Sequence, residues 1–446
     1  MPIYTGAAGK GGYKLETSYG TGGTPVTIFL PIISEDMKPN IEKIASPAMF
    51  GSRNTKTYYQ GKQDPGGSIT FMADPDNIPT LVHAALGVEG NPVQVLVTQA
   101  EITEITCAAD VAGSLSGKYW TLSSPTVNYY VWYDINGLGS IDPAIAGKTG
   151  IPVGIATGAT ANTVATATAS AIDALAAFVS TPSSAVVTVT NAASGAATDA
   201  ADGNTGFTPF TVTQQGSGGA AYDHPFTPAG FTVDLSSFAL EIDREGTCCV
   251  YTGCVVNEIT LSASLGNPLK CVLALIAKME ADDQSPTTLT PSTKLPYIFS
   301  HGKIEVNDTL KYYFNSFEFK YGNAVDAEGG FVLNGTPYRQ HAFKTTGLCT
   351  GSMECEWTSD SDTFRDAYLD NTSVKLEFFF ISTDAIEAGY YYTLTIEVPI
   401  VKILGEPPSL SDRGRTPFTV NFEAIYDVTN YIKITHRDAR VTKWSA

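Results

Sequence analysis

Two pairs of carboxylates have a spacing that could support acid–base chemistry. Glu354 and Glu356 form one pair, and Glu241 and Asp243 form the other. Two carboxyl groups on either side of a bond are the usual machinery of a glycosidase. Residues two apart on a strand point to one face, however, and in a chain of net charge −18 such pairs arise by chance. The spacing therefore favours an acidic row on a strand, with a glycosidase as a minor hypothesis.

Neither a metal site nor a nucleophile has a recognisable motif in this chain. The seven cysteines form no CxxC pair and the five histidines are scattered, so no zinc-type spacing arises. Asp134–Gly137 and Asp199–Asn204 resemble pieces of calcium loops, but neither has the distal Glu that a complete loop needs. The sequence therefore predicts no catalytic residue, no metal and no cofactor. The cysteines are predicted to be reduced, with a Cys248–Cys271 type of bridge as the alternative.

The charge balance limits the partners of the chain. In 446 residues, 45 Asp and Glu oppose 27 Lys and Arg. Tight binding of nucleic acid is disfavoured, because affinity for phosphate comes mainly from Lys and Arg. An acidic wall would instead let DNA pass without sticking. Only 16% of the residues are charged while 11% are aromatic, which favours a surface covered by partners; a β-rich protein with a Ser/Thr surface is the alternative.

The sequence gives no signal for a membrane. It begins MPIYTGAAGKGGYKLE, which lacks the apolar core of a signal peptide. The longest apolar run, Cys271 to Ala277, is too short to span a bilayer. We therefore expect a soluble protein, made in the cytoplasm, with no membrane partner.

One pattern of strand, acidic turn and short helix occurs twice. The first copy is GSITFMADPDNIPTLVHAALG, at Gly67–Gly87, with the helix expected from Leu81 to Leu86. The second is GSMECEWTSDSDTFRDAYLD, at Gly351–Asp370. A weaker echo links VVNEITL and KCVLALIA, after the first copy, with VPIVKIL and FTVNFEAI, after the second. A unit used twice indicates architecture rather than an active site.

The stretch between Val93 and Gly219 differs in composition from the rest of the chain. Ala, Thr, Gly and Ser dominate it, and charge falls away. Apolar residues from Asn162 to Val179 recur at helical spacing, and Pro182 is expected to end that helix. We interpret this stretch as a small α/β module that is spliced into the first copy.

These boundaries define the predicted domains. Residues 1–25 form an N-terminal arm, 26–93 and 220–290 a discontinuous first β-domain, 94–219 the inserted domain, and 291–446 a second β-domain. The arm is rich in Gly and Thr and is expected to order only against a neighbour. Helices are few and short outside the insert. The fold class is therefore mainly β, with two β-domains that each carry a short flanking helix, plus a small α/β insert.

A long loop precedes the repeated strand in each copy. Ser46–Gly66 and Gly329–Thr350 are too long for tight turns, and both carry aromatic residues, an Arg and a Lys. We interpret them as extended hairpins that leave the domain and contact a neighbouring subunit; surface hairpins without a partner are the alternative. The predicted contact residues are Phe50, Arg53, Lys56, Tyr58, Tyr59, Phe331, Tyr338, Arg339, Phe343 and Lys344.

Two stretches resemble parts of known phage proteins. KTYYQGKQDPGGSITFMADPDNIPTLVHAALG, at Lys56–Gly87, resembles the core segment of the tail tube proteins of long-tailed bacteriophages. The insert resembles decoration modules of phage structural proteins, through YYVWYDINGLGSIDPAIAGKTGIPVGIATG and NAASGAATDAADGNTGF. The first resemblance implies tube domains of β-sandwich or barrel type, each flanked by a helix. It also implies a loop that reaches adjacent subunits and inner strands that line a DNA channel.

The resemblance extends to location and partners. It implies a place in the virion tail, together with the tape measure protein and the tail terminator and tip proteins. Two tube domains per chain imply homotrimeric rings stacked into a tube, with homohexameric rings as the alternative. The leading hypothesis is a non-enzymatic tail tube subunit whose acidic lumen conducts DNA during ejection. A carbohydrate-binding phage fibre or adhesin is the alternative.

Overall fold

The computed structural model describes residues 9–23, 25–49, 51, 54–95, 98–136, 139–311, 314–359, 361–387, 389–405, 417–426 and 431–445. The chain divides into two compact units. One holds the residues up to 93 with 223–385 and those from 391 onwards, and the other holds 94–222 with 386–390. Strands outnumber helices in both, so the fold is mainly β, as the sequence predicts.

The first unit opens with the strands around the first copy of the repeat. They are β1 (Lys10–Leu15), β2 (Ile28–Leu30), β3 (Ile32–Glu35), β4 (Ile41–Ala45), β5 (Tyr58–Gln63), β6 (Gly66–Met72), β7 (Gly87–Glu89) and β8 (Val93–Gln94), with helix α1 (Ile78–Leu86) after β6. Pro31 separates β2 from β3, because proline cannot donate a ladder hydrogen bond.

The second unit contains two four-stranded sheets and one helix. Its elements are β9 (Ile102–Thr106), β10 (Tyr119–Ser123), β11 (Asn128–Ile135), β12 (Thr149–Ile155), α2 (Ala161–Asp173), β13 (Phe178–Ser183), β14 (Val186–Asn191), β15 (Ala201–Asp202) and β16 (Phe210–Gln214). The strand orders are β12-β11-β10-β15 and β13-β14-β9-β16. Helix α2 buries Val164, Ala165 and Ile172 in a core that also contains Trp120 and Tyr133.

The predicted end of α2 is wrong. The helix stops at Asp173 rather than near Val179, and Phe178 already begins β13, opposite Asn191. The Asp173 carboxylate accepts the Ser180 N–H at 3.1 Å, which holds the chain in its reversal. Pro182 lies inside β13 and does not end a helix. It is tolerated there because β13 is the outer strand of its sheet.

The chain then returns to the first unit. The remaining elements are β17 (Tyr222–Pro228), β18 (Phe238–Asp243), β19 (Cys248–Ser264), β20 (Lys270–Ile276), β21 (Met279–Ala281), a 3₁₀ turn (Phe299–His301), β22 (Gly302–Val306), β23 (Thr309–Lys311), β24 (Phe314–Gly322), β25 (Leu348–Glu356), α3 (Asp362–Leu369), β26 (Val374–Glu387), β27 (Tyr390–Leu404), β28 (Pro417–Ala424) and β29 (Lys433–Asp438).

Both copies of the repeat fold as strand, turn and helix, as predicted. Each copy contributes four strands to one antiparallel run. In the first copy the order is β3-β6-β20-β19, and in the second it is β24-β25-β28-β27. The strand that leads into the helix therefore has equivalent neighbours in both. The weaker echo has the same origin, because VVNEITL and VPIVKIL lie in β19 and β27.

The two copies are joined edge to edge within one chain. β19 pairs with β24 over seven residue pairs, from Glu258 opposite Gly322 to Ser264 opposite Ser316. The run is thereby extended to eight strands. Ile259 and Leu261 of β19 and Phe319 of β24 face one shared hydrophobic core.

A turn before α1 and a glycine after it explain where the helix begins and ends. The Asp74 carboxylate accepts the N–H groups of Asp76 at 2.9 Å and Asn77 at 3.0 Å and so closes the turn, whereas the side chain of the N-cap residue, Asn77, makes no capping hydrogen bond. The helix therefore starts at Ile78, earlier than the predicted Leu81. Gly87 ends it with φ 93°, in the left-handed conformation that glycine adopts without strain.

The expectation that the N-terminal arm orders only against a neighbour is wrong for residues 10–15. These residues form β1, which pairs with β18 and β2 of the same chain. Tyr13 on β1 is completely buried, and its hydroxyl donates to the Asn77 carbonyl at 3.3 Å. The Gly-rich composition gives no strand signal, and β1 is held in place by the burial of Tyr13 in the core.

Candidate assembly surfaces

The eight-stranded run has one apolar and one polar face. On the polar face Ser352 lies between Glu318 and Asn421 of the neighbouring strands, whereas the next residue, Met353, is buried on the other side. Short polar side chains cover much of this face, which also carries the apolar residues Met72, Val272, Ala274 and Leu404. The short polar residues are Ser68, Thr70, Thr260, Ser262, Thr350, Ser352, Thr419 and Asn421.

Negative charge predominates on the polar face. Its charged residues are Glu258, Lys270, Glu318, Lys320, Glu354, Glu356, Lys402 and Glu423, five acidic and three basic. Four of the five glutamates belong to the second copy of the repeat. Glu354 and Glu356 therefore form part of an acidic row along the strand. The carboxylate of Glu241, from the other pair, accepts the N–H and hydroxyl of Thr287, each at 2.7 Å.

The residues that could bind metals have structural partners. Within the described ranges, no group of three His, Cys, Asp or Glu side chains is placed to hold a metal ion. Asp202, from one of the calcium-like fragments, accepts the N–H groups of Thr205 at 2.8 Å and Gly206 at 3.1 Å, so it closes its own turn. All seven cysteines are buried free thiols. Burial raises the pKa of the Cys107 thiol to about 12, so it stays protonated at neutral pH.

The first long loop is a two-stranded hairpin, which we name the β4–β5 hairpin (Ile41–Gln63). β4 and β5 pair with each other in a sheet of their own, with Lys43 opposite Gln60 and Ile44 opposite Tyr59. Every residue of β4 is exposed, and Ile44 is 47% accessible. A two-stranded hairpin with no core is only marginally stable in water. Its exposed apolar side chains make this hairpin a candidate contact surface.

The second long loop differs, because it folds onto its own chain. It comprises residues 323–347, between β24 and β25, and is called the 323–347 loop below. The Asn323 side-chain amide donates to the Val256 carbonyl at 2.9 Å, and the Val325 N–H donates to the Asn257 side chain at 2.8 Å. Further along, the Gln63 N–H donates to the Pro337 carbonyl at 2.9 Å. This loop of the second copy therefore covers the end of the first copy.

Arg339 fixes the 323–347 loop in place. Its side chain is completely buried, and its guanidinium donates to the carbonyls of Ala277 at 3.0 Å and Ala327 at 2.7 Å and to the Asp64 carboxylate. The Phe331 ring lies 5.1 Å from the guanidinium. A charge can be buried at tolerable cost only when its donors are satisfied in this way.

The other predicted contact residues lie in several settings. Phe50 and Arg53 fall outside the described residues. Lys56, Tyr58 and Tyr59 are exposed on the β4–β5 hairpin. Tyr338 forms a bridge with Gln63, Phe343 stacks on His341, and the Lys344 ammonium donates to the carbonyls of Ala229 and Val233. Contact with a neighbouring subunit stays a prediction for all of them.

An open groove of about 750 Å³ lies at the end of the second copy. Its lining includes Leu348 at the start of β25, Ala424 at the end of β28, and Ile425 and Tyr426 just after it. Phe231 forms part of the wall and is 87% exposed. Four charged residues also line the groove: Lys344, Glu397, Glu423 and Lys433. Exposed apolar side chains on a concave surface are typical of a site that another protein segment covers.

Sequence reasoning missed a buried polar cluster that fastens the last described residues. His224 lies between two carboxylates, with Nδ1 2.9 Å from Glu89 and Nε2 3.2 Å from Asp438. Glu89 also accepts the N–H groups of Trp444 at 3.0 Å and Ser445 at 2.9 Å. These residues are far apart in the sequence, so no local spacing could have revealed them.

Burial and hydrogen bonding set opposite protonation states for the two histidines of this cluster. Burial alone would lower the pKa of His224, but its bonds to Asp438 and Glu89 outweigh burial and raise the pKa to about 9. Burial lowers the pKa of His436 to about 4, and Asp438 only partly opposes this shift. At neutral pH His224 is therefore charged and His436 is neutral.

Stability is expected to peak near neutral pH and to fall on both sides. The His224 contribution is complete below its unfolded pKa of 6.5 and is lost as pH rises towards 9. Below pH 6.5 the unfolded chain protonates His436 whereas the folded chain resists until about pH 4, so stability falls by about 3 kcal/mol across that interval. Urea titrations at pH 5, 7 and 9 measure both limbs.

Two substitutions separate the alkaline decline in stability from the acidic one. His224→Gln should flatten the alkaline decline, and His436→Gln should flatten the acidic one. An unchanged alkaline limb in His224→Gln would contradict the assigned charge state of this histidine.

The fold and its exposed edges are those of a structural protein built to assemble. A family model described as phage tail tube protein matches residues 6–424, nearly the whole described chain. The chain belongs to this family. No curated protein matches it.

Membership of the family assigns a structural role in the tail tube of a virion, as the sequence predicts. It implies self-assembly into a tube together with other tail components. Across the described residues, every helix is too short or too polar to cross a lipid bilayer.

Proposed function

We propose that three copies of this chain form a ring and that the rings stack into a hollow tube; rings of six copies are the alternative. The observation that carries this proposal is the β19–β24 junction, which joins two similar bodies edge to edge inside one chain. A second junction of the same kind between chains would place six bodies in a closed circle. Head-to-tail contacts of one type generate such rings when their rotation closes.

β3 is the place where a neighbouring chain would add its strand. Its counterpart in the second copy, β24, has two strand partners, β25 and β19. Within the described part of the chain, β3 pairs only with β6. An unpaired edge exposes N–H and C=O groups that another strand can satisfy. The counterpart of β19 is β27, so β27 of one chain pairs with β3 of the next in this proposal.

The polar face of the eight-stranded run would form the wall of the channel. Side chains on it are short, and the excess of glutamate over lysine gives it a negative potential. Such a wall repels phosphates, because both carry negative charge. It also has few of the Lys and Arg side chains that bind DNA by displacing its counterions. DNA could then pass during ejection without being held, and no catalysis is required.

The second unit would decorate the outside of the tube. Its joints are rich in Gly and polar residues, and the flanking strands already meet without it, since the Gly90 N–H donates to the Pro225 carbonyl at 2.8 Å. The tape measure protein and the tail terminator and tip proteins would be the other partners. Synthesis would take place in the cytoplasm of the host bacterium.

Electron microscopy of negatively stained protein tests this proposal. We expect hollow tubes of stacked rings from the full chain, and three copies per ring by mass measurement. Joining Val93 directly to Asp223 removes the second unit and should give thinner tubes with the same ring spacing. A monodisperse monomer at high concentration that binds glycans on an array would contradict the proposal and favour the fibre or adhesin alternative.

A further inference from the structure

The contact between the 323–347 loop and the first copy has an equivalent place in the second copy. Ile69 pairs with Leu273 in the first copy, and the equivalent Met353 pairs with Val420 in the second. Leu273 and Val420 are therefore equivalent, and the residues four positions further on, Ala277 and Ala424, are equivalent as well. Arg339 binds the carbonyl of Ala277. Ala424 lines the open groove. The site that is filled in the first copy is therefore open in the second.

The β4–β5 hairpin is the equivalent of the loop that fills the first site. It connects β3 to β6, just as the 323–347 loop connects β24 to β25. The 323–347 loop is folded onto the first copy. The β4–β5 hairpin, by contrast, projects with apolar side chains exposed.

We propose that the groove lined by Leu348, Ala424 and Ile425 is the docking site for the β4–β5 hairpin of a second copy of this chain. The proposal rests on the ring function proposed above and names its contact site. The hairpin lies next to β3, and the groove lies next to the β27–β28 end of the second copy. If β3 pairs with β27 of the next chain, each hairpin is carried to the groove of that chain.

The exposed surfaces of the two elements match. Ile44, Tyr58 and Tyr59 are exposed on the hairpin, and Leu348 and Phe231 are exposed at the groove. Burial of these side chains would give the hairpin the apolar support that it lacks within its own chain.

Cysteine cross-linking between differently labelled full-length chains tests this contact. One chain carries Ile44→Cys, Tyr58→Cys or Tyr59→Cys, and the other carries Leu348→Cys. All four positions are exposed, so the variants should fold, and the seven native thiols are buried and protected. A short bismaleimide is added to the assembled mixture. The matched control replaces Leu348→Cys by Ile141→Cys, which is exposed on the second unit.

The expected result is a mixed cross-linked dimer at about ten times the yield of the control, since docking holds the two thiols at a high effective concentration within the reach of the linker. Rings and tubes without this product from any of the three hairpin positions would overturn the docking site but leave the ring function intact. Absence of rings together with absence of the product would overturn both. Equal yields from the hairpin positions and from Ile141→Cys would also overturn the docking site.

Discussion

A chain whose residues 44–59 are replaced by Asn-Gly is expected to fold but to lose tube assembly. Lys43 lies opposite Gln60, so a two-residue turn can join them and close a short hairpin. The substitution removes the exposed apolar part of the hairpin and retains Gln63 and Asp64, which hold the 323–347 loop. We expect the concentration needed for assembly to rise by about tenfold or more. A tenfold rise corresponds to a loss of about 1.4 kcal/mol in the free energy of each contact between chains.

Sedimentation velocity across a concentration series measures this shift, and negative-stain images show whether tubes persist. Urea unfolding of the unassembled chain should change by less than about 0.5 kcal/mol, because the deleted β4 residues are exposed. The variant that lacks the second unit is the matched control, since it removes far more of the chain and should still assemble. Tubes at an unchanged concentration would show that the hairpin is not an assembly element.

Replacing Arg339 with alanine is expected to lower the free energy of unfolding by about 2–4 kcal/mol. The substitution leaves the carbonyls of Ala277 and Ala327 without their buried donor and the Asp64 carboxylate without its cation. It also opens a void beneath Phe331. Arg339→Lys should recover part of this loss only, because an ammonium cannot reproduce the planar fork of the guanidinium.

The measurement is urea unfolding at a concentration where the chain is unassembled. Lys433→Ala is the matched control: it removes a partly exposed ion pair with Glu397 and should cost less than about 1 kcal/mol. Equal losses in Arg339→Ala and Lys433→Ala would mean that the 323–347 loop is not fastened by the buried guanidinium.

Features governed by neighbouring residues could be predicted from the sequence. The alternation of Ile69 and Phe71 predicts a strand, and the Asp-rich turn followed by apolar residues predicts a helix, because both depend on side chains a few positions apart. The break between β2 and β3 likewise has a local cause, since Pro31 cannot donate a ladder hydrogen bond. Errors occurred where one long-range contact outweighed local pattern, at Tyr13 in β1 and at Asp173, where α2 ends.

The mainly β class and the repeated order of strand, turn and helix could be predicted from the sequence, since both depend on residues close together in the chain. The differences between the two copies arise from tertiary contacts. The tertiary structure buried Arg339 in one loop and left the β4–β5 hairpin exposed, and it brought His224 between Glu89 and Asp438. Strand pairing and burial join residues that are hundreds of positions apart, and the free energy of such contacts depends on the whole packed chain rather than on any local spacing.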